Sequence, residues 1–288
     1  MAQRWQIGDV TVTKVVEIEA LGGMRRILPE ATYDEVKAID WLYPHFRDEE
    51  GRMFGSIHAF LIETPERRIV VDTCIGNDKP RGVRAWNMLQ TSFLNDLNEL
   101  GFDRERVDTV LCTHLHIDHV GWNTMLVDDT WVPTFTGARY LFGRTEFEHW
   151  ERTDLDWQQQ VMSDSVMPVF DAGLVDLVTT DHQVCDEIWL TPTPGHTPGH
   201  VSIVIESRGE RGFITGDFVH HPCQIARPEW CSSVDVDPAM AQATRRKVFD
   251  ALADTPTLVL GTHFASPTAG HLVRDGDRYR LDVCRLDV

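Results

Sequence analysis

The chain has 288 residues, 42% of them hydrophobic, and a formal net charge of −18 at pH 7. That length builds one large domain or two small ones with a substantial core, and the acidity argues against nucleic acid and anionic membrane surfaces as partners, which need clustered Lys and Arg. No run approaches membrane-helix length, Met1-Ala2-Gln3-Arg4-Trp5 opens no apolar signal, and the six cysteines (74, 112, 185, 223, 231 and 284) form no Cys-x-x-Cys pair, so a cytoplasmic protein with reduced thiols is expected.

Residues 9–18 alternate as a strand. Residues 58–63 and 68–72 form two more around the turn Thr64-Pro65-Glu66-Arg67. Residues 93–101 have helical spacing, with Leu94, Leu97 and Leu100 on one side and Gly101 as a stop. Short apolar runs at 107–112 and 139–142 predict strands, and 144–160 predicts a helix. Strands follow at 187–191, 201–206, 212–215 and 257–260. A helix is expected over 238–253, with Asp237 as N-cap and Pro238 in its first turn. Mixed strands and helices with hairpins predict stacked sheet and helix layers. No linker, repeat or low-complexity tract divides the chain, so one domain over 1–288 is expected. Segments 22–55 and 162–170 read as irregular, and such long loops often serve function. Dimer contacts in a homodimer, or cover for the core, are their other uses.

The densest chemistry lies at His114-Leu115-His116-Ile117-Asp118-His119, directly after the run at 107–112. In extended chain, residues two apart point the same way, so His114 and His116 can converge on one metal. Asp118 and His119 lie where a turn can aim them at a second. Further downstream come His196 in a Pro- and Gly-rich turn, Asp217 in Thr-Gly-Asp, and His263 in Gly-Thr-His. Seven such groups exceed the four of a tetrahedral zinc and suit two metals sharing a bridge. Asp217 follows an apolar strand and a Gly, where its carboxylate can bridge. Asp72 ends a strand in the same way and reads as an acceptor that orients a ligand histidine, or as a turn cap.

With its His-x-His-x-Asp-His loop and later His, Asp and His, the chain resembles the metallo-β-lactamase superfamily over essentially its whole length. The resemblance implies an αββα sandwich, an α/β fold with the metals at one edge between two mixed sheets. It implies that His114, His116 and His196 bind one metal, Asp118, His119 and His263 the other, and Asp217 both. Zinc is the expected metal, with Mn2+, Fe2+ or Co2+ able to use the same N/O ligands. The implied chemistry is hydrolysis by a hydroxide held between the two ions, its pKa drawn towards ~7 from ~15.7. Asp118 could pass a proton to the leaving group.

Departures sort the branches. One zinc β-lactamase branch has Cys at the place of Asp217, and flavodiiron oxygen reductases have Glu at the place of His116. Glyoxalase II enzymes need more chain than the 25 residues after His263. Nucleic-acid-processing members carry added domains and a different charge. The remaining resemblance is to the branch of N-acyl homoserine lactonases and methyl-parathion-type phosphotriesterases. Those lactonases have Tyr three residues after the bridging Asp; this chain has His220, as the phosphotriesterase relatives have His in this region. His220 is therefore a candidate donor to a developing oxyanion.

The expected substrate is a small, fairly apolar ester, a lactone first and an aryl ester or organophosphate triester second, in a pocket formed by loops near 22–55 and 144–170 that cover the active site. A mononuclear iron persulfide dioxygenase would need fewer ligands, and a non-catalytic scaffold would not need all seven. His58 reads as a core histidine and His200 as a support for the His196 turn, while His149, His182, His221 and His271 carry no assignment. Trp41, Tyr43, Phe46, Trp122, Trp150 and Trp157 either wall a pocket or pack in the core.

Overall fold

Strands facing core on both sides show near-continuous apolar runs, and two such sets organise this protein. A computed structural model describes residues 2–283; Cys284 lies outside the described residues. One seven-stranded sheet has the spatial order Arg4–Ile7, Val10–Leu21, Phe54–Glu63, Arg68–Val71, Thr109–Leu111, Arg139–Gly143, Val175–Val178. Its first four strands run antiparallel and the last four pair in parallel. The second has the order Gln183–Cys185, Ile188–Pro192, Val201–Ser207, Glu210–Ile214, Leu258–Leu260, Ala269–Asp275, Arg278–Asp282. Here only Glu210–Ile214 and Leu258–Leu260 pair in parallel.

Period-two alternation sends neighbouring residues into different cores. Ile69, Val71, Leu111, Ile203, Ile205, Ile214 and Leu260 meet between the sheets. Ala59, Leu61, Val70 and Val110 face outward, against Phe93, Leu97, Phe147, Trp150 and Val161. These come from the helices Phe93–Glu99, Arg144–Trp150 and Asp156–Val161. On the far side Val204, Phe213 and Val259 pack against Phe249 and Leu252. Both belong to the helix Pro238–Leu252, where the Asp237 side chain caps Met240 N as expected. Helix, sheet, sheet and helix layers thus stack as an αββα sandwich. No helix among the described residues is long and apolar enough to cross a membrane.

Two expectations need correction. The helix expected over 144–160 is broken between Trp150 and Asp156. Thr153 takes over there: its N–H bonds Trp150 O, and its hydroxyl accepts from Leu155 N at 3.2 Å. The stretch 162–170, expected to be irregular, is helical, a π turn over Met162–Val166 running into Met167–Asp171. Met162, Val166 and Val169 recur at helical spacing and are buried against the first sheet.

Candidate metal centre

Two parallel strand pairs end at the same edge of the sandwich, and the chain leaving each end carries a chemical group. Asp72 follows Arg68–Val71, and His114 to His119 follow Thr109–Leu111. In the second sheet His196, Asp217 and His263 follow Ile188–Pro192, Glu210–Ile214 and Leu258–Leu260. Asp217 reaches its place through Gly216, at φ +60°, where a Cβ would lie 2.6 Å from His200 Nε2.

All seven residues singled out in the sequence come together. Ligand-type atoms of His114, His116 and His196 lie within 4.8 Å of one another, as do those of Asp118, His119 and His263. Asp217 Oδ2 sits between the two groups. It is 3.3 Å from His119 Nε2, 3.2 Å from His263 Nε2, 3.8 Å from His196 Nε2 and 4.0 Å from His114 Nε2.

The outward nitrogens are held. His119 Nδ1 donates to Asp72 Oδ2 at 2.9 Å, and His196 Nδ1 donates to Asp235 Oδ1 at 2.9 Å. His263 Nδ1 donates to the Ser56 carbonyl at 3.0 Å. The Thr113 hydroxyl donates to Asp72, 2.9 Å away, so its lone pairs face His114 Nδ1 at 3.0 Å. Each bond engages Nδ1 and leaves Nε2 aimed inward. Asp72 thus bonds His119 directly and reaches His114 through Thr113. It adopts φ 55°, a left-handed conformation that Asp tolerates better than most residues.

These inward nitrogens then face each other. His116 Nδ1 is 3.1 Å from His114 Nε2 and 3.0 Å from His196 Nε2, and His119 Nε2 is 3.3 Å from His263 Nε2. Asp217 Oδ1 is buried without a hydrogen-bond partner. Burial holds His116 neutral, its pKa pushed down to about 3, and keeps His114 and His196 well below the usual range. At His263 the pull of burial is outweighed by Asp217 and Asp118, which raise its pKa to about 9. At His119 burial is outweighed in the same way by Asp217, Asp72 and Asp118. Neutral imidazoles on one side and carboxylates demanding positive charge on the other fit divalent cations, and two clusters around one carboxylate fit a pair.

His220 also joins the cluster. Its Nε2 is 3.3 Å from Asp217 Oδ2, its ring lies parallel to His263 with centroids 6.2 Å apart, and neither ring nitrogen has a hydrogen-bond partner. With His196 and Asp217 it makes a further compact triplet. His200 accepts from Asp217 N at 2.7 Å and contacts Thr193 Oγ1 at the start of the His196 turn. His58 is a buried core histidine bonded to Ser56.

A cavity of about 960 Å³ opens over the cluster, with His116, Asp118, His196, Asp217, His220 and His263 on its lining. Segment 22–55 lines it through Gly22, Gly23, Met24, Arg26, Ile27, Tyr33, Arg52 and Gly55, and segment 144–170 through Trp157. Of the six aromatics in question only Trp157 lines it. Phe46, Trp122 and Trp150 are buried in the cores. Trp86 and Val234, which nothing in the sequence singled out, line it instead.

Two supporting acids were missed. Asp235 precedes the helix cap in an unremarkable polar run, and no motif marks it. Glu146 is fully buried, accepting from Leu115 N at 3.1 Å, Gly199 N at 3.0 Å and Trp150 Nε1 at 2.6 Å. One carboxylate therefore clips the His114–His119 turn to the His196 turn. Its only sequence signal was a charged residue on the buried stripe of a helix.

The comparisons with known proteins agree with this geometry. Residues 52–278 match the metallo-beta-lactamase superfamily, and the chain belongs to it. It is 24% identical over 163 residues to an N-acyl homoserine lactonase of Bacillus sp., covering 52% of this chain and 58% of that one. A lactonase of Bacillus cereus is 24% identical over 166 residues with the same coverage. The chain thus spans somewhat over half the length of these relatives. Among solved structures, the hydrolase AbOPH of the beta lactamase superfamily superposes with a TM-score of 0.80 at 25% identity, over 98% of this chain and 96% of its own. The dizinc quorum-quenching lactonase AidC, in complex with a homoserine product, gives 0.78 at 20% identity, over 97% and 96%.

Proposed function

We propose that this protein is a dinuclear metal-dependent hydrolase of a small, fairly apolar ester, with a lactone as the first substrate class. The observation that carries the reading is Asp217 Oδ2 within 4.0 Å of inward-facing nitrogens from both histidine clusters. His114, His116 and His196 would hold one ion, Asp118, His119 and His263 the other, and Asp217 would bridge them. Zinc suits this donor set, and Mn2+, Fe2+ or Co2+ could occupy it. When bound, such a pair supplies an activated water and polarises the ester oxygen.

The chain's own residues do the rest. Asp72, Asp235 and the Ser56 carbonyl keep the ligand histidines in the tautomer the ions need. Asp118, partly exposed at the cavity floor, can pass a proton to the leaving oxygen. His220 has two free nitrogens facing the same cavity and can donate to the developing oxyanion. The apolar walls exclude water around an ester. The free cysteines among the described residues suit a reducing, cytoplasmic compartment.

A second reading, aryl ester or organophosphate triester hydrolysis, is favoured by one observation, the imidazole of His220. Proton release by zinc-loaded protein over γ- and δ-lactones, acyl homoserine lactones, aryl esters and a phosphotriester separates the two. Lactone turnover well above the others supports the first reading. A phosphotriester or aryl ester turned over faster than every lactone replaces it with the second.

A further inference from the structure

The charges on the cavity wall are one-sided. Its only carboxylates are Asp118 and Asp217, and both belong to the metal cluster. The remaining charged lining consists of three arginines, Arg26, Arg52 and Arg84. This is unexpected in a chain with 45 acidic and 27 basic residues. Some surface arginines find acids, as Arg139 finds Asp176 at 2.6 Å and Arg278 finds Glu229 at 2.7 Å, while others, such as Arg67, Arg106, Arg152 and Arg211, have no ion-pair partner among the described residues. Arg52 does so too, through Asp48 and Glu50. Arg26 and Arg84 do not: neither guanidinium has a hydrogen-bond or ion-pair partner among the described residues.

The two come from separate segments, Arg26 from the short turn Gly23–Arg26 and Arg84 from Arg84–Trp86. Much of the remaining lining is apolar, including Met24, Ile27, Ile57, Val83, Trp86 and Ile117. The cavity, about 960 Å³, stands at the upper end of small-molecule sites and exceeds what a bare lactone ring fills.

We infer that the substrate is amphiphilic: an ester held at the metal cluster, an apolar body, and an anionic group at its far end gripped by Arg26 and Arg84. The anion is a carboxylate, sulfate or phosphate, each of which accepts the planar guanidinium fork. This rests on the reading of the cavity as the substrate site of a hydrolase.

The test is equilibrium binding to the zinc-loaded protein, read by the fluorescence of Trp86 and Trp157. The probes are 1-decanesulfonate and 1-decanol, equal in apolar length and different in charge. The sulfonate should bind about tenfold more tightly at low ionic strength, the gap of one or two charge-assisted hydrogen bonds. High salt should close that gap, because both arginines are exposed. The double variant R26Q/R84Q should abolish it, and each single variant should remove part of it. Decanol binding by the same variants reports that the cavity is intact. Equal affinities in the unsubstituted protein overturn the inference. So does a sulfonate preference that survives the double substitution, which would place the anion at the metals. The readout does not depend on turnover. Protein that prefers the sulfonate through these arginines but hydrolyses no ester would end the hydrolase reading alone. Protein that turns over neutral lactones yet binds both probes equally would end this inference alone.

Discussion

Asp217 is the residue on which both histidine clusters depend, since its Oδ2 reaches four of their nitrogens and its Oδ1 has no protein partner. Asp217→Ala should remove at least one metal and cost several orders of magnitude in turnover, measured by elemental analysis beside the rate; both metals and full rate would exclude bridging. His220 lies equally close but has no partner for either ring nitrogen. His220→Ala should lower turnover with metal content unchanged, and metal loss would move His220 into the coordination shell. Asp235 acts at one remove. Asp235→Asn exchanges the acceptor of His196 Nδ1 for a weaker one and should reduce metal affinity by about 10–100-fold, read by competition with a chelator. An unchanged affinity would mean that the His196 turn alone sets that ring. The seven clustered residues were legible because Asp and His types gather within a few residues of strand ends. Asp235 was not, because an orienting acid needs only to be near in space, and 39 positions separate it from His196.

At the scale of elements, legibility followed periodicity. Pro238–Leu252 announced itself through cap, Pro and spacing, and the central strands through apolar runs between turn signals. The hairpin Ala269–Asp275 with Arg278–Asp282 was missed although Asp275-Gly276 marks its turn, because its polar faces dilute the apolar alternation. Beneath the cavity loops, Lys79 ties the small hairpin Thr124–Val127 to the π turn Met162–Val166. Its Nζ bonds Thr124 Oγ1 at 2.8 Å and the Asp164 carbonyl at 3.1 Å, and it lies 3.6 Å from the centre of the Trp131 ring. Burial lowers its pKa from 10.5 to about 7, against the opposing pull of Asp164 and Asp78 and with the help of Arg81. Between those values the unfolded chain binds a proton that the folded protein has released. Stability from this group is therefore least below pH 7 and rises towards pH 10.5. The variant Lys79→Met removes that slope, so the melting temperature of the unsubstituted protein should rise relative to that of the variant as pH rises from 7 to 10. A difference constant across that range would mean that Lys79 keeps an ordinary pKa.

For the whole molecule, the αββα stack was legible only through the resemblance, because strand order and layer contacts are long-range facts that local patterning leaves open. The structure supplies their reason: each strand splits its residues between an inner core and an outer one. That architecture brings ends of both sheets to one edge, so the centre needs groups from position 72 to 263 to be folded at once. The segments over that edge wall the cavity, and their spatial neighbours, such as Trp86 and Val234, no pattern revealed. The central claim is that two metals make this a hydrolase. The most direct measurement is a zinc titration of metal-stripped protein while proton release from a γ-lactone is followed. Activity should rise with added zinc and saturate at two ions per chain. Saturation at one ion, or full zinc occupancy with no turnover of any ester in the panel, would contradict the account.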